Sequence, residues 1–131
     1  MKITSSKKLV QNVLPHIETI DPKEVKKRLK ENISVLIDIR DIRELCREGT
    51  IMGSKHVPRC MLEFWLDPES PYFKKDISIE KNLILFCAQG MRSALATKAL
   101  KDMGFEKVCH VQGGFEKLRE FGFEIQQVKK K

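Results

Sequence analysis

The chain has 131 residues, 41% of them apolar and 33% charged, and carries a net charge of +7. That length fits one domain at roughly 150 residues per domain, with a core burying about two-thirds of the unfolded surface, and no apolar run approaches the roughly 20 residues of a membrane span. The positive charge lies at the ends: residues 1–30 hold eight Lys and Arg against three acids, Lys129, Lys130 and Lys131 close the chain, and residues 31–128 are within one charge of neutral. Such a body lacks the basic stripe of a nucleic-acid binder. Met1 to Leu14, with Lys2, Lys7 and Lys8, lacks the apolar stretch of a secretory signal. The expectation is a cytoplasmic protein with neither nucleic acid nor membrane as partner.

In chain order, a polar extension is expected over 1–15, one domain over 16–128 and a basic tail over 129–131. His16 to Ile20 reads as a short strand. Asp21 then caps a helix with Pro22 at its first position and Glu24 where a capping-box acid sits, running to about Glu31. Ser34 to Ile39 is an apolar strand of the kind buried on both faces of a parallel sheet. A short helix over Ile42 to Arg47, a turn at Gly49 and a brief strand ending near Pro58 follow. Met61 to Leu66 reads as a helical turn or two, and Asp67 to Ser78, with Pro68 and Pro71, as an ordered surface loop. Leu83 to Phe86 is a central strand and Ser93 to Met103 a helix capped by Gly104. Lys107 to Val111 is a strand, Gly113-Gly114 a turn, and Phe115 to Phe121 a last helix ended by Gly122. Strands alternating with helices predict an α/β fold with a mainly parallel central sheet and helices on both faces, the site lying at the carboxyl ends of the strands.

The segment after Leu83 to Phe86 carries the chemistry. Cys87 leaves an apolar strand for a short loop, Ala88-Gln89-Gly90-Met91-Arg92-Ser93, that opens a helix. Loop amides and the helix N-terminus then converge on the sulfur and favour its thiolate form. Four residues separate Cys87 from Arg92, one fewer than in the loop of cysteine-dependent phosphatases. A ring that small suits one extra sulfur atom, carried on the cysteine as a persulfide, better than a phosphoryl group.

These residues resemble the rhodanese family of sulfurtransferases. The likeness rests on Leu36-Ile37-Asp38-Ile39-Arg40, His56-Val57-Pro58-Arg59, the Cys87 loop and Gly113-Gly114-Phe115, in that order. Met61 to Pro71 looks like the corresponding segment of stand-alone, single-domain members. One departure is visible: the family commonly reads Gly-His-Ile where this chain has Gly49-Thr50-Ile51. The resemblance implies a rhodanese-like fold and double displacement. In that cycle Cys87 takes sulfane sulfur from a small donor such as thiosulfate or a low-molecular-weight persulfide. It then passes the sulfur to a thiol or cyanide-like acceptor, or to a protein acceptor, with no cofactor. A non-catalytic or protein-specific relay module is the alternative, and a phosphatase or arsenate reductase a third.

Around Cys87, Ala88, Gln89 and Met91 are expected at the entrance and Gly90 at a position needing positive φ or close backbone approach. Arg92 has two open roles: attracting an anionic donor, or pairing with a carboxylate to brace the loop. Ser93 is expected to cap the following helix, with donation to the persulfide as the other reading. Asp38 and Arg40 share a strand face and are expected to form a buried ion-pair network that supports the site, with a catalytic carboxylate as the other reading. Phe64 and Trp65 suit either a pocket wall or the core. The other cysteines, Cys46, Cys60 and Cys109, form no Cys-x-x-Cys pair, so no metal is expected. Cys109, in Val108-Cys109-His110-Val111, reads as a buried apolar residue. Cys46 and Cys60 read as ordinary thiols unless the fold brings one near Cys87 as a resolving partner.

Overall fold

The computed structural model describes residues 1–129; Lys130 and Lys131, most of the expected basic tail, lie outside the described residues. Helix α1 spans Ser6–Val13, followed by a 3-10 turn at Leu14–His16, strand β1 at Glu18–Ile20, helix α2 at Pro22–Lys30 and strand β2 at Ser34–Asp38. Next come α3 (Ile42–Glu48), β3 (Thr50–Ile51), β4 (Lys55–His56), a 3-10 turn (Arg59–Met61) and α4 (Leu62–Leu66). The last part holds β5 (Asn82–Phe86), α5 (Met91–Met103), β6 (Val108–Val111), α6 (Gly114–Phe121) and β7 (Ile125–Gln126).

The main sheet has five strands in the order β1-β6-β5-β2-β4, all parallel. β5 is its central strand, flanked by β6 and β2, with Leu36 opposite Ile84 and Asp38 opposite Phe86. The continuous apolar sequences of β2 and β5 follow from burial on both faces. One face packs Ile37, Leu83, Leu85, Ala96 and Leu100 together with Leu62 and Leu66 of α4. The other packs Leu36, Ile84, Phe86, Val25 of α2, and Phe115 and Leu118 of α6. Helices thus cover both faces, and every strand-to-helix connection on the carboxyl edge converges on one end of the sheet.

Several elements differ from expectation. Within the polar extension over 1–15 the chain forms a helix: Ser5 caps α1 by accepting from the Lys8 N–H at 3.1 Å, and α1 packs on α5. Its apolar Leu9, Val10 and Val13 recur at helical spacing among lysines, which composition alone conceals. β1 begins at Glu18, because Pro15 and His16 belong to the 3-10 turn. β3 pairs antiparallel with β7, Thr50 facing Gln126 and Ile51 facing Ile125, in a second, two-stranded sheet. α5 begins two residues earlier than expected, at Met91, and α6 one earlier, at Gly114. Among the described residues no helix is long and apolar enough to cross a membrane.

Candidate functional site

Cys87 stands one residue past the end of β5, with Gly90 and the first turn of α5 closing over it. The Gly90 N–H donates to the Cys87 sulfur at 3.1 Å and the Ser93 N–H at 3.3 Å. Gly90 adopts φ +105° as the N-cap of α5, a conformation that suits glycine and turns its amide toward the ring. Two convergent amides at a helix N-terminus stabilise negative charge on the sulfur or on an atom attached to it. Cys87 is 1% exposed, so the sulfur forms the floor of the loop.

Around that floor, Ala88 and Gly90 are half-buried, while Gln89 and Met91 point outward and Gln89 Nε2 donates to Glu116 Oε2 at 3.3 Å. Arg92 turns to a carboxylate: Nη1 and Nη2 donate to the two oxygens of Glu44 at 2.8 and 2.9 Å. The forked guanidinium holds the Glu44 carboxyl below its usual range and is itself raised by it. Glu44 also completes the capping box of α3 with Asp41, so the loop is tied to the start of that helix.

Ser93 does not cap α5. Because the helix starts at Met91, Ser93 lies in its first turn with its hydroxyl inward, 3.5 Å from the Cys87 sulfur and 2.9 Å from His110 Nδ1. His110 Nε2 in turn lies 2.9 Å from Thr19 Oγ1. Neither His110 nor Thr19 was singled out by sequence; the available signal was an imidazole inside the otherwise apolar run of β6. Burial depresses His110 to about 4, so it is neutral at ordinary pH.

The Asp38–Arg40 pair is fully buried. Asp38 accepts from Arg40 Nε and Nη2, from the Arg40 N–H and from Thr50 Oγ1 at 2.7 Å. Arg40 Nη2 also donates to the Gly49 carbonyl at 2.7 Å, and its guanidinium lies 4.1 Å from the centre of the Phe115 ring. Thr50, where the family commonly has histidine, therefore supplies a hydroxyl to the same carboxylate. Phe115 links this network to the loop, since its N–H donates to the Cys87 carbonyl at 2.7 Å, and the Glu116 N–H donates to that of Ala88 at 3.3 Å.

Among the described residues, none of the remaining candidate side chains is hydrogen-bonded to the Cys87 loop. Trp65 packs against the cluster of Ile37 and Leu85, beneath Lys74, whereas Phe64 is exposed and meets Tyr72 edge-on. Cys109 is buried, and that burial pushes its thiol up to about 12. Cys46 is partly buried and Cys60 exposed, and all four cysteines are free thiols. Among the described residues no three His, Cys, Asp or Glu side chains gather as metal ligands.

A parallel sheet delivering a cysteine at its carboxyl edge into a six-residue, amide-lined loop defines a cysteine-loop α/β protein. A family model described as the rhodanese-like domain matches residues 21–120, and the chain belongs to that family. Among solved structures, a protein of unknown function and possible tyrosine phosphatase from Rhodopseudomonas palustris is 40% identical. It superposes with a TM-score of 0.87 over 96% of this chain and 98% of that one. The human single-domain sulfurtransferase is 26% identical, with a TM-score of 0.67 over 78% of this chain and 95% of that one. Among curated proteins, the tRNA uridine(34) hydroxylase of Prochlorococcus marinus is 30% identical over 124 residues, 87% of this chain and 39% of that protein. The chain thus spans about two-fifths of the length of that relative.

Proposed function

We propose that this protein is a sulfurtransferase that moves sulfane sulfur from a small donor, thiosulfate or a low-molecular-weight persulfide, to a thiophilic acceptor through a persulfide on Cys87. The observation that carries the reading is the pair of amides, Gly90 and Ser93, aimed at the Cys87 sulfur from within a ring one residue shorter than that of cysteine-dependent phosphatases. The thiolate attacks the outer sulfur of the donor. A new S–S bond forms as the donor's own bond to that sulfur breaks, releasing sulfite from thiosulfate or a thiolate from a persulfide. An acceptor thiolate or cyanide then attacks the same sulfur, and Cys87 departs as a thiolate, ready for the next cycle. In the bound persulfide the terminal sulfur carries the charge, and the loop amides stabilise it without any cofactor.

The buried position of the sulfur supports a slim cargo. The pairing of Arg92 with Glu44 supports the same choice, because a phosphoryl group needs that guanidinium on its oxygens. The Rhodopseudomonas neighbour's description as a possible tyrosine phosphatase keeps phosphate-ester hydrolysis as a second reading. A relay to one protein acceptor, within a larger system such as the tRNA-modifying relatives suggest, is a narrower form of the first.

Intact mass spectrometry after exposure to thiosulfate and to glutathione persulfide tests the proposal. One added sulfur atom on wild type, absent from Cys87→Ser and removed by cyanide or a thiol, is the expected result. No added sulfur with either donor, or Cys87-dependent hydrolysis of p-nitrophenyl phosphate in its place, overturns it.

A further inference from the structure

We infer that Thr19 and His110 are positioning residues for Cys87, joined to its sulfur through Ser93 in one hydrogen-bonded chain running from the exposed edge strand to the floor of the loop. The inference rests on the reading of Cys87 as a working thiolate.

Thr19 and His110 are register partners on β1 and β6, and His110 pairs with Leu85 on β5, so these side chains share the sheet face under α5. The links are Thr19 Oγ1 to His110 Nε2 at 2.9 Å, His110 Nδ1 to Ser93 Oγ at 2.9 Å, and Ser93 Oγ to the Cys87 sulfur at 3.5 Å. His110, Ser93 and Cys87 are each at most 2% exposed, whereas Thr19, on the edge strand, is open to solvent. A serine, a histidine and a threonine aligned end to end through the body of the sheet have no packing reason to be polar. Each polar atom in the chain meets the next.

A neutral imidazole has one N–H, which gives the chain a direction. With Cys87 as a thiolate, the Thr19 hydroxyl donates to Nε2, Nδ1–H donates to Ser93 Oγ, and the Ser93 hydroxyl donates to the sulfur. It becomes the third donor there, beside the two amides. With Cys87 as a thiol every link reverses: S–H donates to Ser93 Oγ, Ser93 to Nδ1, and Nε2–H to Thr19. The two states interconvert by one hop at each link. The sulfur's proton passes to Ser93, that of Ser93 to Nδ1, that of Nε2 to Thr19, and that of Thr19 to bulk water. One proton leaves, and no member besides the sulfur ends charged. The chain so provides a proton exit at the edge of the sheet for a sulfur that solvent barely touches.

Burial alone keeps His110 neutral, and the charges around it are engaged elsewhere. Glu18 on β1 is paired with Arg28, and Arg92 on α5 with Glu44. Cys109 on β6 and Asp38 on β2 belong to the opposite face by register, and His16, in the turn before β1, is exposed.

The test is a pH titration of thiolate ultraviolet absorbance, each variant measured against the same variant carrying Cys87→Ser. Thr19→Val is nearly isosteric and lies at the surface, so the fold is kept. It removes the donor to Nε2, lets Ser93 turn its hydroxyl to the imidazole, and should raise the Cys87 midpoint by about half a pH unit. Thr19→Ser should restore the wild-type midpoint. An unchanged midpoint in Thr19→Val overturns the inference, as does a shift that Thr19→Ser fails to reverse. The readout needs no sulfur donor: a shifted and rescued midpoint in a protein that forms no persulfide sinks the proposed activity and leaves this chain standing.

Discussion

Gly114 lies directly against the backbone of Cys87. A Cβ on Gly114 would sit 2.4 Å from the Cys87 carbonyl oxygen and 2.7 Å from the carbonyl carbon and oxygen of Ala88, and the residue adopts φ +58°. All three neighbours are main-chain atoms that cannot swing aside. This contact lets the next two amides, of Phe115 and Glu116, reach the loop carbonyls. Gly114→Ala should therefore lose at least about 2 kcal/mol of stability, from strain plus overlap, together with most persulfide formation. Urea unfolding and intact mass measure the two losses; wild-type stability with full loading would show that the loop tolerates displacement.

Asp38→Asn leaves the fully buried Arg40 guanidinium with only the partly exposed Glu48 carboxylate, 3.1 Å from Nη1, as a charged partner. Removing one member of a buried pair costs about 3–5 kcal/mol, and the expected result is a urea midpoint lowered accordingly. Thr50→Val removes one neutral donor to the same carboxylate and should cost only about 1–2 kcal/mol. Equal losses in the two variants would contradict the assignment of Asp38 as the hub of the network.

Stability in acid should follow His110. Its folded value of about 4 lies below the ordinary 6.5, so between these limits the unfolded chain binds the extra proton and stability rises with pH. The contribution is fully present above about pH 6.5, declines as pH falls toward 4, and is constant below. Its size is roughly 3 kcal/mol. Urea unfolding of wild type and His110→Gln at pH 7, 5.5 and 4 should show the steeper loss in wild type; parallel curves would refute it.

Arg92→Ala is expected to slow persulfide formation with dianionic thiosulfate and with glutathione persulfide by similar factors, because the guanidinium braces the loop through Glu44. The stability cost should be about 0.5–1 kcal/mol, the pair being partly exposed. A KM rise confined to thiosulfate would instead identify Arg92 as an anion-recruiting group.

What sequence made legible was local. The Asp21 cap and Pro22 fix the start of α2, the apolar runs fix β2 and β5, and Gly104 ends α5 as anticipated. Pairings distant in sequence were not legible. β3 meets β7 across more than seventy residues, and Thr19 meets His110 only because β1 lies beside β6. The two readings of Ser93 divide on a helix boundary: with Gly90 as N-cap, a residue three positions on points inward, toward the Cys87 sulfur, and does not cap α5. Arg92 carried two readings because the choice depends on where Glu44 falls, and only the docking of α3 beside the loop determines that.

Phe115 gives its backbone to Cys87 and its ring to Arg40, so the hexapeptide around the sulfur is not a portable unit. Grafting it onto another α/β scaffold would require the segments at 38–50 and 110–118 as well, since one clamps the aromatic ring and the other supplies the amides beneath the loop. For the same reason positions 40 and 115 are bound to drift together in descendants of this chain: a shorter cation calls for a different aromatic, and a smaller ring strands the guanidinium.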